Sequence, residues 1–192
     1  SLSGAFERGH RFVYLCYDNQ AYMNTGGQKS GATPFGANTT TEPSSRTDFG
    51  KELPRKNFMN ICIAHRASYA AQASAHNLDD LFRKAQKAFS CDGPAVLTVL
   101  SPCITAWKFP NGQSVNIARL AVETRFWALY EYNQGKYTIN YIPQKYTPVE
   151  EFLHPQERFR HLFVNDYGPK VISQIQHRTD LRWEKLLQKA GK

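Results

Sequence analysis

Asp18 and Asn19 end an apolar run, Phe12–Leu15 continued by Cys16 and Tyr17, and open a polar segment reading Gln20-Ala21-Tyr22-Met23-Asn24-Thr25-Gly26-Gly27-Gln28. In a parallel sheet, ligands collect just outside the carboxyl ends of the strands, where loops replace the ladder of backbone hydrogen bonds. Acidic and amide oxygens in such a place suit a hard cation such as magnesium, which prefers oxygen donors and often carries phosphates. Asn24, Thr25 and the glycines after them add donors able to approach a phosphate closely. The same residues also describe an ordinary turn, because Asp and Asn side chains commonly bond the backbone two residues on. Residue types and spacing leave both readings open. Cys103 is the second pointed residue. It follows a continuous apolar run, Ala95–Leu100, and so falls at the same sheet edge as Asp18-Asn19 if the two strands are parallel. Its other reading is a small buried hydrophobe.

The elements that must position these residues follow from pattern. Ser1–Phe6 reads as the end of a helix stopping at Gly9, and Phe12–Tyr17 as a strand. From Asn19 to about Lys56 the chain is rich in Gly, Thr, Ser and Pro, and a connection this long in a compact domain is functional or disordered. A helix is predicted next, with Phe58, Ile61, Cys62 and His65 on one face, then a strand from Tyr69 to Ala73. Asn77 is a predicted cap for a helix whose Asp79-Asp80 complement its dipole and whose apolar stripe is Leu78, Leu81, Phe82, Ala85 and Phe89. Gly93-Pro94 breaks the chain before the Ala95–Leu100 strand. This order predicts right-handed crossovers and an α/β fold with a mostly parallel sheet flanked by helices. Further on, Ile117–Thr124 is a predicted helix. Phe126–Tyr132 and Tyr137–Ile142 flank Asn133-Gln134-Gly135-Lys136 as a hairpin. Thr147-Pro148-Val149-Glu150 reads as a capping box with proline at the first helical position. A final helix from about Lys170 to Lys189 carries its stripe through Val171, Ile175, Leu181 and Leu186-Leu187, and is expected to clasp a neighbouring subunit.

The segment from Asp18 to Gly26, with Gln28, Ser30-Gly31-Ala32-Thr33-Pro34 and Gly36-Ala37, closely resembles the thiamine-diphosphate module of pyruvate:ferredoxin oxidoreductases (pyruvate synthases), in their beta subunit. Gly4-Ala5-Phe6-Glu7-Arg8-Gly9-His10 and Leu100-Ser101-Pro102-Cys103 extend the resemblance. So do Pro148–Leu153, Gln156, Arg158-Phe159, His161-Leu162 and Arg182–Leu187. The resemblance implies a thiamine-diphosphate-binding fold with a C-terminal hairpin and helical tail: residues 1–115 form the cofactor-binding α/β domain and 116–192 an extension packed on it or on a neighbouring subunit. It implies Asn19, by side chain, and Ala21, by backbone carbonyl, as Mg ligands, with Asp18 orienting the loop. Tyr22, Asn24, Thr25 and Gly26 would lie around the diphosphate and the reactive thiazolium, Asn24 being the catalytic candidate. Cys103 would give one thiolate to a 4Fe-4S cluster. The family's upstream Gly-Asp-Gly and its other cluster cysteines have no counterpart after Ser1, so the chain reads as an N-terminally truncated portion, inactive by itself.

By the same resemblance the activity is oxidation of pyruvate with CoA and oxidised ferredoxin to acetyl-CoA, CO2 and reduced ferredoxin. Alternatives are a branched-chain or aryl 2-oxoacid, or a non-catalytic assembly module. Partners would be alpha-, gamma- and delta-type subunits, ferredoxin, CoA and the 2-oxoacid substrate.

Composition sets outer bounds. The 192 residues, 41% of them hydrophobic and 13% aromatic, suit a single packed domain. No apolar run approaches a membrane span. Four scattered cysteines, Cys16, Cys62, Cys91 and Cys103, form neither a close-spaced metal cluster nor a disulfide framework, which favours a reducing cytoplasm. Cys16, Cys62, Cys91 and the six histidines read as packing or surface residues. The net charge of +8 is spread along the chain, which fits a solvated basic surface rather than a nucleic-acid site.

Overall fold

A computed structural model describes residues 2–192. Its centre is a five-stranded sheet in the spatial order β1 (Phe12–Asp18), β3 (Pro94–Leu100), β2 (Tyr69–Ser74), β4 (Tyr130–Asn133) and β5 (Lys136–Ile139). The first three run parallel, whereas β4 is antiparallel to β2 and β5 to β4. Every residue of β3 is buried, as its unbroken apolar sequence requires of a strand covered on both faces. The predicted hairpin thus exists but is shorter, and it extends the sheet through β2.

Three clusters make the core. On one face, α1 (Leu2–Glu7), α2 (Phe58–Ala64) and α7 (Gly168–Lys189) bring Phe6, Met59, Cys62, Trp183 and Leu186 against Ala70 and Val96. On the other, α3 (Leu78–Ser90) lies over Tyr69, Ala71, Ala73, Ala95 and Leu97. The largest cluster joins Met23, Phe35 and Ala37 of the long loop to α4 (Ile104–Trp107), α5 (Ser114–Glu123), α6 (Glu150–Leu153), a 3₁₀ helix (Glu157–Phe163) and the first turns of α7. The loop from Asn19 to Lys56 is therefore one wall of a core.

Several expectations about faces and caps are corrected. Helix α2 buries Met59 and Cys62 and leaves Ile61 and His65 exposed. Asn77 caps α3 as predicted, accepting from Asp80 N. Leu81 and Ala85 of the expected stripe pack on the core, but the helix also buries Asp80, Lys84 and Ala88 and exposes Leu78, Phe82 and Phe89, the latter two by 63% and 70%. The reason lies in the sheet beneath. Its small Ala71, Ala73 and Ala95 let the helix approach, and Lys84 Nζ finds Asp80 Oδ2 at 2.6 Å and the Gln72 carbonyl at 2.8 Å. A buried ammonium with both a carboxylate and a carbonyl is tolerated. Beside α3, the outer strand β1 exposes Leu15 and Tyr17, so this face carries a broad apolar surface. The capping box does not form: Thr147 Oγ1 has no partner and α6 begins at Glu150. In α7, Leu181 points outward while Ile172, Thr179 and Trp183 turn in.

Glu131 of β4 ties hairpin, strand and helix together. Its carboxylate accepts from Tyr69 Oη and from Lys87 Nζ, each at 2.6 Å. Burial alone would raise its pKa, but the hydrogen bonds from Lys87 and Tyr69 outweigh it and hold the group below the ordinary 4.5. A carboxylate depressed in the folded state contributes stability that is complete above the unfolded value and lost as pH falls through the folded one. Glu131→Gln is accordingly expected to be less stable at pH 7. It should also lose less further stability than the wild type between roughly pH 5 and pH 3, as read by urea unfolding at each pH.

Candidate functional site

The three parallel strands end level, with Asp18 and Ser74 both in register with Leu100. Ser101 N donates to the Asp18 carbonyl at 2.9 Å, and Cys103 follows as the residue before α4. From that helix Trp107 reaches back, its Nε1 donating to the Asn19 carbonyl at 2.8 Å. Asp18, Asn19 and Cys103 thus emerge at one edge of the sheet. Cys103 is half-buried against the largest core cluster. Among the described residues no group of three His, Cys, Asp or Glu side chains gathers to hold a metal ion.

Asp18 is buried and fully committed. One carboxylate oxygen accepts from Arg55 Nη2 at 2.6 Å and the other from Gln20 N at 3.1 Å. Arg55 in turn lies over the Trp127 ring, 5.0 Å from its centroid. Asp18 thus holds Arg55 with one oxygen and the start of the loop with the other. Asn19 Oδ1 accepts from Ala21 N at 3.4 Å, a long bond that leaves the oxygen largely free. The Ala21 carbonyl accepts no hydrogen bond among the described residues. The turn reading of Asp18-Asn19 is borne out, and the same short stretch carries two neutral oxygens without strong partners. That set fits magnesium only as part of an octahedron, the remainder coming from water, phosphate or further oxygens.

The next turn closes by Tyr22 N to the Gln28 carbonyl and Gly27 N to the Tyr22 carbonyl. Gly26 and Gly27 have φ of 114° and 77°, in the region that favours glycine, and a Cβ at Gly27 would lie 3.2 Å from Ala106 Cβ. Met23 anchors the turn in the core, whereas Tyr22, Asn24, Thr25 and Gly26 are exposed. Thr25 and Gln28 bond one another. The Asn24 side chain makes no hydrogen bond among the described residues, so its amide is free for a ligand.

Beneath the loop lies Gln20, 1% exposed and with φ of 67°, a conformation costing a non-glycine residue about 1–3 kcal/mol. Its carbonyl accepts from Thr33 Oγ1 at 2.7 Å, its Oε1 from Arg158 Nη2 at 2.8 Å, and its Nε2 is unpartnered. Arg158 is 4% exposed. Its Nε donates to Gln156 Oε1 at 2.9 Å, and its guanidinium lies 3.7 Å from the centroid of the Trp107 ring. Burial pushes its pKa well below the ordinary value, opposed by the charge of Asp18, yet a guanidinium keeps its proton at neutral pH. Arg55, Trp107 and Gln20 were not singled out from sequence, and Arg158 carried no role there. The polar residue between Asn19 and Ala21 was the one signal available for Gln20.

The other cysteines keep their structural reading, since burial raises the thiols of Cys16 and Cys62 to about 11 and that of Cys91 upward too. A cavity of about 450 Å³ opens elsewhere, between the sheet and α7, lined by Arg55, Thr98, Trp127, Tyr130 and Arg182 but by no residue of 18–28. The loop site is thus an exposed sheet edge, not an enclosed pocket. No helix among the described residues is long and apolar enough to cross a membrane.

Comparison with known proteins bears on this edge. The C-terminal TPP-binding domain of thiamine pyrophosphate enzymes matches residues 1–99. The chain is 46% identical over 187 residues to pyruvate synthase subunit PorB of Thermotoga maritima, covering 97% of this chain and 58% of that one. It is 49% identical over 162 residues to PorB of Methanothermobacter thermautotrophicus, covering 84% and 56%. Ketoisovalerate oxidoreductase subunit VorB of Pyrococcus furiosus is 44% identical over 188 residues, covering 97% and 59%. This chain therefore spans somewhat over half the length of these relatives. Among solved structures, a 2-oxoglutarate:ferredoxin oxidoreductase from Magnetococcus marinus shares the fold with a TM-score of 0.50 at 22% identity, covering 62% of this chain and 46% of that one.

Proposed function

This chain belongs to the thiamine pyrophosphate enzymes, through their C-terminal TPP-binding domain, and on that premise we propose that it is the cofactor-binding part of a 2-oxoacid:ferredoxin oxidoreductase, with pyruvate as substrate. The observation that carries the reading is the pair of free oxygens, Asn19 Oδ1 and the Ala21 carbonyl, held at the carboxyl edge of a parallel sheet. These two would ligate Mg, Asp18 would orient them, and Tyr22, Asn24, Thr25 and Gly26 would surround the diphosphate and the reactive ring. Thiamine diphosphate, when bound, would supply a nucleophilic carbon for the keto group and an electron sink for the pair left when carbon dioxide departs. The protein's part would be to fix that group and to offer Asn24, with its unengaged amide, to the reacting centre. Cys103 at the same edge would give one of the thiolates of a 4Fe-4S cluster, and such clusters are usually held by four. The similarity to PorB, at 46–49% identity, supports pyruvate. The 44% identity to VorB supports a branched-chain 2-oxoacid as the second reading. Other subunits would meet the apolar face formed by Leu15, Tyr17, Phe82 and Phe89, and CoA and ferredoxin would be the co-substrates.

The deciding experiment measures thiamine-diphosphate-dependent CO2 release and acceptor reduction by the complete protein, with pyruvate and 2-oxoisovalerate in parallel. Turnover favouring pyruvate is expected. Preference for the branched acid would install the second reading, and no cofactor-dependent release from either would overturn both. Cys103→Ala is expected to lower the iron content of the complete enzyme and to abolish acceptor reduction more severely than CO2 release. A mutant with normal iron and normal acceptor reduction returns Cys103 to the ordinary buried cysteines.

A further inference from the structure

We propose that Arg158 is a positioning residue that sets the direction of the two oxygen donors on the loop by clamping Gln20 between them. This rests on the reading that Asn19 and Ala21 hold the cofactor's cation. The donors flank residue 20, so the backbone conformation of that residue helps set how one oxygen faces relative to the other. At 67°, Gln20 stands where a side chain with a Cβ is disfavoured, and a loop residue left to itself would relax. Three contacts prevent it. Gln20 N is held by Asp18 Oδ1, its carbonyl by Thr33 Oγ1, and its side chain by Arg158 Nη2.

Arg158 is built for this task more than for charge balance. Gln156 Oε1 and the face of Trp107 fix the guanidinium, and no carboxylate among the described residues bonds it. Gln156 is itself tied to the Phe152 carbonyl. Trp107, stacked on that guanidinium, donates to the Asn19 carbonyl, so residues 19 and 20 are gripped from one rigid layer of α4 and the 3₁₀ helix. Planarity and fixed donor directions distinguish an arginine from a lysine in such a grip.

The test uses the complete protein and three variants. Gln20→Met keeps the length of the side chain but cannot accept from Arg158, Arg158→Lys keeps the charge but loses the fork, and Gln20→Glu keeps an acceptor. The magnesium concentration giving half-maximal thiamine diphosphate binding is measured for each, together with amide hydrogen exchange at residue 20. Gln20→Met and Arg158→Lys are expected to need about 10–100-fold more magnesium, as loss of an outer partner of a metal ligand does, and to exchange faster at residue 20. Gln20→Glu should stay near the wild type. A merely structural role would lower melting temperature without moving the magnesium requirement of the folded protein. Wild-type magnesium requirement and exchange in folded Gln20→Met would overturn the inference. If that variant fails to fold, Arg158→Lys set against Gln20→Glu decides in the same way. A wild type that binds no cofactor with magnesium would sink the functional reading instead, and the exchange rate at residue 20 would still decide the clamp.

Discussion

Asn19→Ala in the complete protein is expected to weaken magnesium-dependent binding of thiamine diphosphate by on the order of 100-fold or more, since even outer partners of metal ligands are worth about 10–100-fold. The fold should survive. The side chain is only partly buried and its one hydrogen bond, to Ala21 N, is 3.4 Å long, so its loss opens no core cavity and should cost no more than about 1 kcal/mol. Titrating wild type and mutant with cofactor, with and without magnesium, separates the two effects. An unchanged affinity would show that the cation takes its oxygens elsewhere. Alanine at Asp18 would act differently, because it frees Arg55 and lets the Gln20 turn relax. It should therefore lower both stability and affinity.

The largest stability effect is expected at the ion pair under α3. Asp80→Ala leaves the Lys84 ammonium, 1% exposed along its side chain, without its carboxylate. Breaking one partner of a buried pair costs about 3–5 kcal/mol, which for a chain of this size lowers the melting temperature by roughly 10 °C. The double variant Asp80→Leu with Lys84→Met should recover most of that loss, because replacing both charges by apolar groups removes their desolvation as well. Chemical denaturation of the three proteins decides it. A double variant as unstable as the single one would mean that the pair also specifies how the helix seats on the sheet.

What could be read from the chain divides by the range of the interaction. Strands β1 and β3 stood out as apolar runs, and the Asn77 cap as a polar residue three before an amide it could reach, all local signals. The inward face of α3 is legible only at Leu81 and Ala85, because Asp80 and Lys84, four apart, are also what a solvated helix face looks like. Only the alanine-rich sheet beneath, distant in sequence, turns them inward. The same holds at the site. The stretch from Asp18 to Gly26 was legible as a turn, while the roles of its oxygens came from the family resemblance. Its supports come from residues 37 and 138 positions away, Arg55 to Asp18 and Arg158 to Gln20. A side chain that reaches across the molecule to a single acceptor leaves no period in the sequence.

The strand order has a consequence for the sequence of events by which the chain acquires its structure. In the parallel part of the sheet β3 is the common neighbour, since both β1 and β2 pair with it and not with each other. During synthesis, neither early strand has its parallel partner until residue 100 has left the ribosome. The loop that follows β1 waits longer still, for Trp107 and then for Arg158. Contacts so distant in sequence are slow to form, because loop closure precedes their reward. The exposed Leu15 and Tyr17 of the waiting strand are what a chaperone would hold in the interval. The ligand-binding turn thus takes shape only after a partner made 138 residues later than Gln20 has arrived.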